Sequence, residues 1–184
     1  MKRAFDLVVA ACALLLLALP MLLAAVLVWL DSGRPVLFVQ QRVGRDGRLF
    51  RLLKFRSMVV DAESRGPQRT AAGDARITRV GRVLRRTSVD ELPQLINVLR
   101  GDMSLVGPRP DVPAQRADYT EEQWALRCSV RPGLTGLAQA RYRSRATPRQ
   151  RLEADLDYVA RHGLCRDLSI LGLTAARLLQ RSGN

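Results

Sequence analysis

The chain has 184 residues, which is enough for one domain with a hydrophobic core. Thirty basic residues against seventeen acidic ones give a formal net charge of +13. A hydrophobic content of 47% with a long apolar run excludes an intrinsically disordered chain. Three scattered cysteines argue against a disulfide framework or a cysteine zinc site. We interpret the single histidine, His162 before Gly163, as a C-terminal helix cap rather than a catalytic base.

The N-terminal region contains an apolar run, Leu7–Leu30, of 24 residues without a formal charge. As a helix this run would be about 36 Å long, against a hydrocarbon thickness of about 30 Å. Pro20 interrupts it, and basic residues flank both ends, which favours both ends on the cytoplasmic side. The pattern favours a re-entrant helix broken at Pro20, and a Pro-kinked spanning helix is the alternative. We therefore divide the chain into a membrane segment, residues 1–34, and a basic domain, residues 35–184.

A β-hairpin is predicted directly after the membrane segment. Val36–Gln41 and Leu49–Phe55 have the composition of strands, and Asp46-Gly47 between them is a strong turn signal. The two-residue period of the second strand places Lys54 and Arg56 on one face.

The rest of the chain is predicted to be mostly helical. Residues 61–76 are polar and rich in glycine and proline, which predicts a loop. Apolar spacing predicts a helix over Leu92–Leu99 that ends at Gly101, and Thr147-Pro148 opens another helix. Asp167 is predicted to cap a last helix.

The last helix has two interpretations. Leu168, Leu171 and Leu178 lie roughly on one side, and Arg166, Arg177 and Arg181 are nearby. The helix could lie in the plane of the lipid headgroups or pack against the core, and the sequence favours neither.

The densest group of candidate functional residues lies between Arg82 and Pro110. Pro93 belongs in a first helical turn, so Asp90 and Glu91 stand at or just before a helix N-terminus. On position alone, the favoured interpretation is that both are caps, with Ser88 and Glu91 forming an S-x-x-E box.

Nearby arginines point to a different role for the same two carboxylates. Arg85, Arg86 and Arg100 are close in sequence, and Arg109 stands in a stiff Pro-Arg-Pro segment. Two adjacent carboxylates among arginines suit phosphoryl transfer with a divalent metal, because one can attack phosphorus while the other holds the metal.

Longer motifs make the chain similar to a known family, the small monotopic phosphoglycosyl transferases, which are bacterial sugar transferases. The resemblance covers essentially the whole chain. It is strongest in DELPQLINVLRGDMSLVGPRP, which is residues 90–110. Three shorter segments also match: KFRSM from Lys54, DARITRVG from Asp74 and RPGLTG from Arg131. The remaining matching residues are Lys2-Arg3 with Asp6, Asp155, Tyr158 and Asp167-Leu168.

This resemblance implies a function and a set of site residues. Members transfer a sugar phosphate from a UDP-sugar to polyprenyl phosphate, usually undecaprenyl phosphate, and release UMP. It implies a covalent phosphosugar intermediate on Asp90, Mg2+ at Glu91, and phosphate contacts from Arg85 and Arg109, with Lys54 beside the site.

The resemblance also implies a fold and a location. The expected fold is α/β, with a re-entrant helix broken at Pro20 and a compact, mostly helical catalytic domain on the cytoplasmic face of the bacterial inner membrane. Its expected role is the first membrane step of exopolysaccharide, O-antigen, capsule or glycoprotein glycan assembly. Anionic lipid headgroups are further expected partners, no nucleic acid is expected, and homo-oligomerisation is left open.

A non-enzymatic alternative needs only the charge and the membrane segment. A membrane-tethered basic module that binds nucleic acid or acidic lipid would leave Asp90 and Glu91 as helix caps. The aromatic content of 5% offers few stacking platforms for single strands, and no groove-reading motif is apparent.

Overall fold

The computed structural model describes residues 1–62, 64–66, 74–142 and 146–182, with side chains in the last helix described up to Arg177. The helices are α1 (Lys2–Leu16), α2 (Ala18–Ser32), α3 (Arg79–Thr87), α4 (Gln94–Arg100), α5 (Glu121–Cys128), α6 (Leu137–Tyr142), α7 (Pro148–Ala160) and α8 (Leu164–Ser182). The strands are β1 (Leu37–Val43), β2 (Leu49–Phe55), β3 (Ser104–Val106) and β4 (Gly133–Thr135). The described residues are therefore mostly helical, with an antiparallel pair β1–β2 and a short parallel pair β3–β4.

The N-terminal apolar run forms two helices that are bent by 62° at their junction. The break falls at Leu17, three residues before its predicted place at Pro20. Pro20 explains this position, because a proline ring clashes with the carbonyl four residues earlier, here that of Leu16. None of the described helices alone is long and apolar enough to cross a bilayer, whereas α1 and α2 together reach that length and hydropathy.

The first turns of α1 are joined to the core rather than set apart from it. Ala10 is fully buried in the main hydrophobic cluster, together with Leu52 and Val98. Asp6 is 2% exposed, and its carboxylate accepts hydrogen bonds from the Ser104 hydroxyl (2.9 Å) and from a backbone N–H of β3.

Lys2 extends this polar contact to the C-terminal helices. Its ammonium group donates to the Ser104 hydroxyl at 2.7 Å and forms an ion pair with the buried carboxylate of Asp167. The Tyr158 hydroxyl lies 2.8 Å from the other Asp167 oxygen and 2.9 Å from the carbonyl oxygen of Val106. The predicted cap at Asp167 is wrong, because α8 begins at Leu164 and this side chain pairs with Lys2.

The predicted hairpin is confirmed, with β2 at the predicted bounds and β1 ending two residues beyond its own. Leu37 pairs with Phe55 at one end and Val43 with Leu49 at the other. Asp46 and Gly47 have φ values of 55° and 75°. Glycine and aspartate tolerate this left-handed region better than branched residues do, which explains the turn.

Local signals also place the helices that follow. Gly101 ends α4 at φ 95°, and Thr147 caps α7 through a hydrogen bond from the backbone N–H of Gln150 (3.2 Å). A ring nitrogen of His162 lies 2.7 Å from the Val159 carbonyl oxygen, which confirms its role at a helix end. The predicted loop at residues 61–76 lies partly outside the described residues.

The predicted apolar face of α8 is partly wrong. Ile170, at 1% exposure, is the residue that enters the core, whereas Leu168 is 50% exposed. Asp167 takes the inward position next to Leu168 because the Lys2 pair and Tyr158 hold it there. The helix therefore packs against the core, and contact of Leu168 with lipid headgroups stays a prediction.

Replacement of Tyr158 by phenylalanine tests the polar contact between the N-terminal helix and the core. We expect Tyr158→Phe to lower the free energy of unfolding by about 1–2 kcal/mol, because the buried Asp167 oxygen and the Val106 carbonyl lose the one O–H donor that lies between them. Thermal unfolding in detergent micelles measures the change. Tyr142→Phe is the matched control, since its hydroxyl has no hydrogen bond to any described residue, and an equal loss in both variants would contradict the prediction.

Candidate active site

A cleft of about 1000 Å³ opens between the hairpin and the segment that follows β3. The hairpin contributes one wall, and residues 109–115 contribute much of another. Among the residues singled out from the sequence, Lys54, Arg85, Asp90 and Arg109 all line this cleft.

Asp90 lies in the wall of the cleft, and most of the residue is buried. It lies in a short 3-10 turn, Val89–Glu91, which follows Ser88 in the left-handed conformation at φ 61°. The residue is only 8% exposed, and its carboxylate accepts no hydrogen bond from any residue that the structure describes. The carboxylate oxygens are not among the fully buried unpaired atoms, so they keep some contact with the cleft, although burial of most of the residue disfavours the ionised form.

Glu91 has the opposite surroundings. Its Oε1 accepts hydrogen bonds from the Lys54 ammonium group at 3.0 Å and from the Arg109 guanidinium at 2.9 Å. No side-chain cap is found at the start of this turn or of α4. The interpretation of Asp90 and Glu91 as helix caps is therefore wrong, because Glu91 pairs with distant cations instead.

These surroundings shift the pKa values of the two adjacent carboxyl groups in opposite directions. Burial and the neighbouring charge of Glu91 raise the pKa of Asp90, although nearby cations oppose that rise. Burial alone would also raise the pKa of Glu91, but the charges of Arg109 and Lys54 outweigh it and lower the pKa to about 2. Burial, followed by the charge of Arg109, lowers the pKa of Lys54.

Close backbone packing fixes the segment that bears Arg109. The backbone N–H of Gly107 donates to the Thr135 carbonyl at 3.0 Å, and that of Gly133 donates to the Pro108 carbonyl at 2.9 Å. A Cβ atom on Gly107 would stand 2.3 Å from a carbonyl oxygen of the neighbouring segment, so only glycine fits.

A buried ionic cluster also contacts the segment that bears Arg109. The guanidinium groups of Arg127 and Arg151 donate to the Arg109 carbonyl oxygen at 2.9 and 3.1 Å. Both arginines also pair with the buried carboxylate of Asp111, and Arg127 pairs with Asp155 at 2.8 Å. The carboxylates thus hold two cations against the backbone of Arg109, which orients its side chain toward Glu91.

Arg85 is a cleft cation without a direct partner. It lies in the last turn of α3, and its guanidinium makes no hydrogen bond or ion pair with the described residues. Arg85 and Asp90 line the same cleft, and the charge of Arg85 partly opposes the rise in the pKa of Asp90.

Sequence reasoning missed two residues of the cleft, Asp111 and Arg151. Asp111 directly follows the Pro-Arg-Pro segment, so extension of that motif by one residue would have found it. Arg151 has no local signal, because its partners are distant in sequence. Arg56, which the sequence places on one strand face with Lys54, also lines the cleft, as does Arg42, which donates to the Pro110 carbonyl at 2.9 Å.

Glu91 is the residue that would bind a divalent metal ion at this site. No group of three or more histidine, cysteine, aspartate or glutamate side chains suited to a metal occurs among the described residues. Mg2+ requires only one or two protein carboxylates when substrate phosphates and water complete its ligands. Both contacts to Glu91 use Oε1, so Oε2 has no bond to the described part of the chain and fits such a ligand.

Comparison with known proteins agrees with this geometry. The chain matches the profile described as bacterial sugar transferase over residues 1–181. It belongs to the bacterial sugar transferase family. In this sugar transferase some of the motifs that carried the family resemblance line the cleft, namely KFRSM from Lys54, the turn of Asp90 and the segment of Arg109.

Three relatives of this sugar transferase have informative names. The UDP-glucose:undecaprenyl-phosphate glucose-1-phosphate transferase of Caulobacter vibrioides is 47% identical over 97% of this chain and 69% of its own length. An N-acetylgalactosaminephosphotransferase of Aeromonas hydrophila, named for UDP-N-acetylgalactosamine and undecaprenyl phosphate, is 41% identical over 99% of this chain. The exopolysaccharide production protein PSS of Rhizobium leguminosarum is 44% identical over 98% of this chain.

These relatives differ in length as well as in their named sugars. The chain spans 96% of the Rhizobium protein but only 44% of the Aeromonas protein. The sugar transferase unit is therefore shared by proteins that have very different amounts of additional chain.

The contrast between the two carboxyl groups predicts opposite effects on stability. Because the pKa of Asp90 is raised, its ionised form is disfavoured in the folded state, and Asp90→Asn should raise the melting temperature at pH 7. Because the pKa of Glu91 is lowered, Glu91→Gln should lower the free energy of unfolding by roughly 3 kcal/mol.

The pH dependence of unfolding distinguishes these effects from general damage. The loss in Glu91→Gln should shrink as pH falls from the ordinary glutamate pKa of about 4.3 toward and below 2, because wild-type Glu91 becomes protonated there. The gain in Asp90→Asn should fade as pH falls through the raised pKa of Asp90. Asp46→Asn, at a 59% exposed side chain, is the matched control, and destabilisation by both site variants would contradict the prediction.

Proposed function

We propose that this chain transfers a sugar 1-phosphate from a UDP-sugar to polyprenyl phosphate, usually undecaprenyl phosphate, and releases UMP. The observation that carries the proposal is the largely buried carboxylate of Asp90, which has no donor among the described residues and lies at the wall of a cationic cleft. The names of the relatives support the donor and the acceptor, since each of two names pairs a UDP-sugar with undecaprenyl phosphate.

The first half of the proposed reaction forms a covalent adduct. A carboxylate oxygen of Asp90 attacks the phosphorus that bears the sugar, and the bond from that phosphorus to the bridging oxygen breaks. UMP leaves with the bridging oxygen, and an acyl phosphosugar remains on Asp90. A carboxylate nucleophile suits this step because it divides the exchange between two large phosphates into two displacements.

The second half regenerates the carboxylate. A phosphate oxygen of the polyprenyl phosphate attacks the same phosphorus, and the bond to the Asp90 oxygen breaks. The product is a polyprenyl diphosphate sugar, and Asp90 returns to its ionised form. The raised pKa of Asp90 favours this chemistry, since a desolvated carboxylate without hydrogen bonds is a stronger nucleophile than a solvated one.

The cleft cations offset the charge that accumulates in both steps. Arg85, whose guanidinium has no partner in the described part of the chain, can contact a phosphate, whereas Lys54 and Arg109 are held in place by Glu91. Preorganised cations in a water-poor site stabilise phosphoryl-transfer transition states without the need to reorient.

Mg2+ is the proposed cofactor, and Glu91 is its proposed protein ligand through Oε2. The ion supplies charge neutralisation at the substrate phosphates when bound. Glu91 would then have two tasks, because its other oxygen orients Lys54 and Arg109.

A membrane location follows from the proposed acceptor. Polyprenyl phosphate lies in the bilayer, so the cleft must be at the membrane surface, and α1 and α2 supply the apolar segment that would hold it there. We propose the cytoplasmic face of the bacterial inner membrane, with residues 1–34 as a re-entrant anchor and residues 35–184 as the catalytic domain. Anionic headgroups would contact the basic surface of that domain.

The biological step proposed is the first membrane step of a bacterial surface glycan. One relative is named for exopolysaccharide production, which supports that class of product. Because two relatives are named for glucose and for N-acetylgalactosamine, we assign no particular sugar to this chain.

A labelled donor tests the covalent intermediate. When a UDP-sugar labelled at its β-phosphate is added with Mg2+ but without lipid, we expect label on Asp90 and release of UMP in an amount comparable to the enzyme. Mass spectrometry of peptides locates the adduct. We expect no adduct with Asp90→Asn and normal labelling with the surface variant Asp46→Asn, and lipid product formed by Asp90→Asn at the normal rate would contradict the assignment.

Accessibility of the N-terminal end of α1 tests the re-entrant topology. In a variant whose cysteines at positions 12, 128 and 165 are replaced by serine, a cysteine near residue 2, at the exposed Ala4 (Ala4→Cys), should react with a membrane-impermeant reagent only from the cytoplasmic side. Inverted and right-side-out vesicles provide the two orientations. Reaction from the periplasmic side alone would indicate a helix that spans the bilayer.

A further inference from the structure

Arg56 joins the end of the membrane helix pair to the wall of the cleft. It directly follows β2, is only 5% exposed, and lines the cleft. Its Nη2 donates to the carbonyl oxygens of Ser32 and Gly33 at 2.6 and 2.7 Å, and it lies 2.9 Å from the Ser32 hydroxyl. These contacts satisfy carbonyl groups that the C-terminus of α2 leaves without an intrahelical partner.

The contacts with α2 account for only one of the three guanidinium nitrogens. Nε and Nη1 of Arg56 are buried and have no hydrogen-bond partner among the described residues. Buried N–H groups of a charged side chain are expensive to leave without an acceptor. An acceptor from outside the chain, either an anion or water, would satisfy them.

The chemistry of the adjoining cleft wall indicates which anion would fit. Next to Arg56 the cleft is lined by Pro35, Leu37 and Met58, and Leu37 and Val39 are 37% and 49% exposed. The wall therefore combines an unpaired guanidinium with accessible apolar side chains, at the place where α2 ends. A phosphate on an apolar chain matches that combination, whereas a hydrophilic nucleotide sugar does not.

We infer that Arg56 binds the phosphate of the lipid acceptor through its Nε and Nη1 groups while its Nη2 group holds the end of α2. This inference rests on the proposed transferase function and adds a substrate-binding residue to it. The donor also has phosphates, so the test must distinguish the acceptor phosphate from the donor diphosphate.

Steady-state kinetics with a short-chain prenyl phosphate tests the inference without the complication of bilayer partitioning. We expect Arg56→Lys to raise the KM for the prenyl phosphate by about 10- to 100-fold, because a charge-assisted phosphate contact is lost. The KM for the UDP-sugar and the amount of adduct formed without lipid should stay within about twofold of wild type.

Two controls separate phosphate binding from a purely structural role. Ser32→Ala removes one contact of Nη2 but leaves the guanidinium in place, so the KM for the prenyl phosphate should stay near the wild-type value. The matching prenol, which lacks the phosphate, should inhibit wild type and Arg56→Lys equally, whereas the prenyl phosphate should bind the variant more weakly.

Each alternative has its own outcome. An unchanged KM for the prenyl phosphate in Arg56→Lys would overturn the inference and leave hydrated N–H groups that only cap α2. Equal increases in both KM values would assign Arg56 to the donor, and an increase in Ser32→Ala of the same size would assign it to helix placement. These outcomes all require active wild-type enzyme, whereas absence of UMP release by wild type would overturn the proposed function itself.

Discussion

The pairing of Glu91 with Lys54 and Arg109 is the interaction on which the site depends. It joins three parts of the chain that are distant in sequence: the end of β2, the turn before α4, and the segment after β3. Glu91 takes both cations, and the adjacent Asp90 has no hydrogen bond to any residue that the structure describes. Glu91 thus has a pKa of about 2 and holds the two cations, whereas Asp90 is the carboxylate that we propose as the nucleophile.

The same segment after β3 connects the cleft to the membrane helices. Lys2 and Asp6 in the first turns of α1 bond to Ser104 in β3, and β3 leads directly to Arg109. At the other end of the helix pair, Arg56 holds the C-terminus of α2 and lines the cleft. Both ends of the apolar helix pair are therefore tied by polar contacts to elements of the site. An enzyme whose acceptor lies in the bilayer would need this fixed relation between its membrane segment and its nucleophile.

Local sequence signals predicted the local parts of this fold. The Asp46-Gly47 turn, the Thr147 cap and the stop at Gly101 depend on neighbouring residues only, and all three are confirmed. The helix break was displaced from Pro20 to Leu17, because the steric effect of a proline acts on the preceding turn.

Long-range pairing explains what the sequence could not predict. The spacing of Asp90 and Glu91 fitted helix caps as well as a catalytic pair, and only the contact with Lys54, 37 residues away, distinguishes their roles. Asp167 was mistaken for a cap because its partner, Lys2, lies 165 residues away. The family motifs include both Asp90 and Asp167, but they do not predict which contacts either side chain makes.

Several charged groups of the cleft have no direct partner among the described residues. Asp90 has no donor there, and neither Arg85 nor two nitrogens of Arg56 have an acceptor, although all three side chains line one cleft. Glu91 and the carbonyl groups of α2 orient neighbouring cations by direct contacts. In the proposed mechanism, a substrate phosphate would lie between Asp90 and these cations. Burial of the ionised Asp90 carboxylate lowers the free energy of unfolding, so Asp90→Asn should be more stable than wild type. It should also be inactive, and a residue with a purely structural role would not produce that combination.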